Sequence, residues 1–237
     1  TGETVTNTTN NSVVVFDKTA PSIFIVGDVI STGGNIVTEA WNSTNTGIEI
    51  IIPIDNDESL DSGRIQIQAR VGVNSYENLG SYHFISANEL DNLKIISIAD
   101  SFIDSIEGFS ENDTITFNAN IFDIPGNMTN GNESLTRLLI NESLPIIINS
   151  NIESNFSDSS LAGVGNIITL SFETDTEIQS PSVLISEQTA SVVNLESNNW
   201  QANYTMQDTD PDGQISFAID FIDIHGNPNS ELNNTSN

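Results

Sequence analysis

At 237 residues the chain is long enough for one large domain or two of ordinary size. It sets 33 acidic side chains against five basic ones, a net charge of −28. That charge repels phosphate backbones and anionic headgroups and argues against nucleic-acid partners and membrane insertion. Cysteine is absent, so core, metal or partner must hold the fold instead of disulfides, and no stretch approaches the ~20 apolar residues of a membrane span.

Charged residues make up only 16% of the chain, and apolar alternation is strong, which separates it from acidic disordered segments. The acidity fits either a chain adapted to salty or calcium-containing surroundings or simple solubility. With no signal-peptide pattern in front, Thr1 reads either as a mature start or as the cut end of a longer chain.

In chain order, residues 12–16 (Ser-Val-Val-Val-Phe) form an apolar run before the linker Asp17-Lys-Thr-Ala-Pro21. Arg64–Val71 alternates with period two, as do 114–121, 166–172, 200–206 and 214–221, each predicting a half-buried strand. Gly33-Gly34-Asn35, residues 61–63, Gly126-Asn127 and Asp212-Gly213 supply the turns between strands. Only 86–93 and 99–106 suit short helical turns. Many short strands with Gly/Asn/Asp turns predict β-sandwiches.

Residues 115–127 (ITFNANIFDIPGN) match 215–227 (ISFAIDFIDIHGN) at an offset of 100, and residues 16–21 (FDKTAP) echo 140–145 (INESLP). The repeating unit therefore runs from an Asp/Asn-x-Thr/Ser-x-Pro linker to a late strand ending in Asp-Ile-x-Gly-Asn. The expected division is an N-terminal strand, 1–16, a first domain, 17–144, and a second, 145–237.

Asp17–Pro21 followed by Ile23 and Ile25, with Asp-x-x-Gly-Asn late in each unit, resembles the bacterial and archaeal Ig-like repeats of large surface proteins of the adhesin and S-layer type. Residues 166–227 carry the resemblance most clearly, and Asn141, standing where the linker pattern has Asp, departs from it. The resemblance implies an all-β chain of two tandem immunoglobulin-like β-sandwiches at a cell surface; it specifies architecture, not a task.

The phase of the repeat carries a further expectation. After Asp123–Asn127 the chain offers one more apolar strand, 134–140. After Asp223–Asn227 only the polar residues 228–237 follow, so the second sandwich is expected to lack its last strand. Residues 12–16 are the matching excess, with Val14 and Phe16 at the positions of Leu138 and Ile140. Either the chain is a piece of a longer array, or Val13, Val14, Val15 and Phe16 of one copy complete the second domain of its neighbour by donor-strand complementation, head to tail.

Candidate chemistry is sparse. Asp208, Asp210 and Asp212 have the D-x-D-x-D-G spacing of an oxygen-rich cation loop, without the Glu of an EF-hand. Asp17, Asp123, Asn127, Asp223 and Asn227 lie at expected domain ends, where neighbouring units of cadherin-like arrays share Ca2+. The same side chains also suit hydrogen bonds within their own turns. Eleven N-x-[ST] sequons, at Asn7, Asn10, Asn42, Asn112, Asn127, Asn132, Asn141, Asn155, Asn203, Asn233 and Asn234, are glycosylation candidates.

The two histidines, His83 and His225, are isolated, and Pro125 replaces His225 in the repeat. No nucleophile elbow, phosphate loop or His cluster appears. The expected function is that of a non-enzymatic extracellular subunit of a filament, pilus or surface layer, with identical subunits and divalent cations as partners. The alternative is a stalk or binding module of a large adhesin.

Overall fold

The computed structural model describes residues 16–229 and 232–235. Its first part holds β1 (Val29–Thr32), β2 (Ala40–Trp41), β3 (Gly47–Ile54), β4 (Arg64–Val71), β5 (Glu77–Asn78), β6 (His83–Phe84), β7 (Asn92–Ala99), a one-turn α1 (Asp100–Ile103), β8 (Thr114–Phe122), β9 (Met128–Asn130) and β10 (Arg137–Ile140). One sheet has the order β1-β3-β7. The other runs β2-β10-β8-β4-β5, with β6 also on β4 and β9 on β8. Among the described residues β2–β10 is the one parallel strand pair, beside an isolated parallel bridge between Ile25 and Asn132.

Alternation dictates which face goes inside. Ile65, Ile67, Ala69 and Val71 of β4 and Ile115, Phe117, Ala119 and Ile121 of β8 are all buried, against Ile48, Ile50 and Ile52 of β3. Burying one such side chain contributes roughly 1.5–3 kcal/mol. The expected helical stretch 86–93 shrinks to a 3₁₀ turn, Ala87–Glu89. There the Ser86/Glu89 capping box closes a single turn, and the β-branched run after Asn92 then takes the strand.

The second part holds β11 (Ile147–Ser154), β12 (Ile167–Thr174), β13 (Ser182–Ile185), β14 (Gln188–Thr189), β15 (Ser191–Glu196), β16 (Asn199–Thr205), β17 (Ser216–Asp220) and β18 (Leu232–Thr235). Its sheets run β11-β12-β16-β15 and β14-β13-β17-β18. In strand letters these are A-B-E-D facing C′-C-F-G, the immunoglobulin order. A separate cluster fills it, with Ile168, Leu170, Phe172, Val183, Trp200 and Phe217 among its members. Both sandwiches are thus complete layered units with their own cores, and the repeated segments become β8 and β17, the same strand of each.

The last-strand expectation is corrected in part. The edge of β17 is occupied by β18, with Leu232 opposite Ile219 and Asn234 opposite Phe217. Main-chain hydrogen bonding tolerates any non-proline sequence, so a polar tail can satisfy an open edge. By sequence, Leu-Asn-Asn-Thr is less apolar than the equivalent β10, which buries Leu138 and Ile140. Val13, Val14 and Val15 lie outside the described residues. Phe16 carries no strand and is 87% exposed.

Candidate functional site

The densest polar network between distant parts of the chain lies where the two sandwiches meet. In the second sandwich the chain leaves β17 and turns at Asp223–Asn227. The Asp223 carboxylate organises this turn: Oδ1 accepts the N–H groups of His225 (2.9 Å) and Asn227 (2.8 Å), and Oδ2 accepts Asn227 Nδ2 (2.9 Å). Gly226 takes φ of +94°, a conformation glycine adopts without steric cost. Asp223 and Asn227 are both buried.

The first sandwich receives this turn with the loop between β1 and β3. Asn35 Nδ2 donates to the Gly226 carbonyl (2.8 Å), Asn42 Nδ2 to the His225 carbonyl (2.7 Å), and the Ser43 N–H to Asn227 Oδ1 (2.8 Å). Asn227 Nδ2 also reaches back to the carbonyl (2.9 Å) and Oδ1 (2.7 Å) of Asn141, just past β10. The receiving loop is itself braced: Asn45 Oδ1 accepts the Asn42 N–H at 2.9 Å, and Thr44 Oγ1 donates to Asn42 Oδ1 at 2.7 Å. Among the described residues, none of the buried side-chain polar atoms left without a hydrogen-bond partner lies in this joint, the condition under which buried polar groups are tolerated.

An acidic patch borders the joint. The Trp41 indole N–H donates to Glu142 Oε1 at 3.1 Å. Burial, then the charge of Asp104, pushes the Glu142 carboxyl above its ordinary range, and Glu111 adds to this. Asp104 is likewise raised, by burial and by Asp100.

The candidate cation ligands are not brought together. Asp123 resembles Asp223, with the Gly126 N–H in place of that of His225 since Pro125 has none: Oδ1 accepts Gly126 and Asn127 N–H (2.8 and 2.7 Å), and Oδ2 accepts Asn127 Nδ2 (2.8 Å). Asp17 caps its own linker through Thr19 N–H. Asp210 takes the Tyr204 hydroxyl (3.0 Å) and the Gln207 N–H (2.7 Å), while Asp208 and Asp212 are exposed on the same turn. Among the described residues no three acidic or histidine side chains gather around a common point. The carboxylates at the domain ends are engaged by N–H donors of their own turns.

Of the sequons, Asn7 and Asn10 lie outside the described residues, and Asn233 and Asn234 fall on β18. Asn112, Asn132 and Asn155 are exposed, and Asn127, Asn141 and Asn203 partly so. Asn42 is fully buried, with its Nδ2 bonded to the Asn35 and His225 carbonyls. The folded chain therefore offers that nitrogen no access to a glycan-transferring enzyme. Sequence reasoning saw Asn42 only as a sequon. The signal it passed over is the run Asn42-Ser43-Thr44-Asn45 behind Gly33-Gly34, a density of side-chain amides and hydroxyls beyond what one turn requires. Trp41 and Trp200 are both inside the cores.

A cavity of about 660 Å3 opens at the far end of the second sandwich, its mixed and mainly polar wall combining Ile152, Ile168 and Ile215 with Gln207, Asp208 and Asp210. The same end of the first sandwich contains Leu138 and Ile140 of β10 together with Trp41, Ile103 and Ile106.

No helix among the described residues is long and apolar enough to cross a membrane. No protein-family model matches the chain, and no curated protein does. Solved structures similar to it include the FN1–FN3 domains of chicken CNTN1, at 11% identity over 92% of this chain and 68% of that one, with a TM-score of 0.38. Another is a chicken TCR, at 10% identity over 81% and 93% of the two chains, with a TM-score of 0.29. At such values the strand order carries the assignment: the chain is an all-β protein of two tandem Ig-like β-sandwiches.

Proposed function

We propose that this chain is a non-enzymatic extracellular subunit of a cell-surface filament or surface layer whose copies join head to tail. In this reading the strand at Val13, Val14, Val15 and Phe16 of one copy replaces β18 in the next. The observation that carries it is the mismatch at the second sandwich: the strand paired with β17 reads Leu-Asn-Asn-Thr, whereas the corresponding strand of the first sandwich buries Leu138 and Ile140 in its core. Val14 and Phe16 repeat those two positions in sequence. Main-chain pairing supplies affinity, and alternate apolar side chains supply register. A heterologous contact of this kind propagates unless it closes into a ring. Glycans on the exposed sequons belong to the same reading as stabilisers of the assembly.

Electron microscopy and sedimentation of two truncations test it. Removing residues 1–16 abolishes filaments. Removing residues 230–237, which vacates the β17 edge, accelerates their formation. Filaments of unchanged form from a chain lacking residues 1–16 refute the proposal. The hydrogen-bonded joint between the sandwiches favours a second reading, in which the chain is a stiff stalk module of a larger adhesin. That reading expects a monomer of fixed elongated shape at every concentration.

A further inference from the structure

The turn at Asp223–Asn227 has a twin that the contact between the sandwiches does not use. At Asp123–Asn127 the carboxylate accepts the Asn127 N–H and Nδ2 within 0.1 Å of the equivalent Asn227 bonds (2.7 against 2.8 Å, 2.8 against 2.9 Å), and the Gly126 N–H replaces that of His225 because Pro125 has none. Gly126 takes φ of +100° beside +94° at Gly226. Even the backward link recurs: Asn127 Nδ2 points to the Asp17 carbonyl at 3.4 Å, as Asn227 Nδ2 does to Asn141, the residue that occupies Asp17's place in the repeat.

The surroundings differ. A Cβ on Gly226 would lie 2.7 Å from Asn42 Nδ2, whereas one on Gly126 meets nothing within 4 Å. Ile124, Pro125 and Gly126 are exposed, while Gly226 and Asn227 are covered by the first sandwich.

We infer that the Asp123–Asn127 turn is a docking site for the end of another Ig-like module, one presenting the same donors that Asn35, Asn42 and Ser43 present to the second sandwich. The acceptors on offer are the Pro125 and Gly126 carbonyls and Asn127 Oδ1, the counterparts of the His225 and Gly226 carbonyls and Asn227 Oδ1. They call for two side-chain amides and one main-chain N–H on a braced loop. The far end of the second sandwich does not provide such a loop, because Asn155 and Asn166 there are bonded to each other at 3.1 Å. The fitting partner is a module of the first-sandwich kind, joined on the N-terminal side through a linker of the Asp17–Pro21 type. This inference rests on the stalk-module reading and not on donor-strand exchange, in which the second sandwich of a neighbouring copy would precede Asp17; it needs neither residues 1–15 nor β18.

A chain of three sandwiches tests it: residues 1–140 followed directly by 17–237, so that Asp17 falls where Asn141 stood. Residual dipolar couplings and small-angle scattering read the orientation across each joint, and hydrogen exchange reads the amides at Gly126 and Asn127. The expected result is that both joints hold the same interdomain orientation, with exchange at the new joint slowed roughly tenfold or more relative to the two-sandwich chain. Asn35→Ala in the leading copy, whose Nδ2 bonds only across the joint, loosens the new joint and leaves the other rigid. A new joint that tumbles freely beside a rigid native one overturns the inference, as does an Asn35→Ala variant with unchanged couplings.

Discussion

Replacing Asn227 by alanine removes a fully buried side chain that ties the turn to the first sandwich. Its bond to Asp223 is also present at Asn127, so Asn127→Ala isolates the cost of disturbing the turn alone. What remains specific to Asn227 is the acceptor for the Ser43 N–H and a close link to Asn141 at 2.7–2.9 Å, where Asn127 has only a 3.4 Å contact with the Asp17 carbonyl. An N–H left buried without an acceptor costs ~1–3 kcal/mol, and the lost link to Asn141 roughly 0.5–1.5 kcal/mol. The difference between the two variants is therefore about 2–4 kcal/mol.

Each sandwich holds one tryptophan, Trp41 in the first and Trp200 in the second. Urea unfolding followed in Trp41→Phe and Trp200→Phe backgrounds thus reports on each separately. Asn227→Ala lowers the midpoint of the second sandwich and separates its transition from that of the first, while Asn127→Ala leaves the two transitions together. Shifts of the two variants that agree within about 0.5 kcal/mol, inside the additivity error for independent sites, refute the claim that the joint stabilises the second sandwich.

The raised carboxyls beside Trp41 give a pH dependence of definite sign. A carboxyl whose folded pKa lies above its unfolded value holds more protons when folded, so stability rises as pH falls from neutral through that raised range and levels off below the ordinary carboxylate value. Glu89, held low chiefly by its hydrogen bond from Lys94, acts in the opposite sense below that range. Glu142→Gln raises the neutral-pH melting temperature and flattens the acid-side rise, as calorimetry across pH 4–8 will show; an unchanged profile contradicts the assignment. Glycopeptide mapping of secreted folded protein finds Asn42 unoccupied while Asn112, Asn132 and Asn155 are available. Occupancy at Asn42 would mean that the joint is open when glycans are added.

Much of the architecture was legible in one dimension. Period-two alternation predicted β4 with both its ends, placed β8, β12, β16 and β17 to within a few residues, and identified which side chains face inward, because a strand buried on one face must alternate. The offset of 100 residues between the two Asp-Ile-x-Gly-Asn turns announced two copies of one unit, since local turn chemistry is written in adjacent residues.

Tertiary structure alone decided what the copies do. One turn is buried against Asn35, Asn42 and Ser43, and its twin faces solvent. That difference arises from residues nearly 200 positions apart, and no local pattern encodes it. The same holds for β18: its ten-residue segment looked too polar for a strand. Whether an edge is filled depends on the hydrogen-bonding demand of the neighbouring strand as well as on the hydropathy of the strand that fills it.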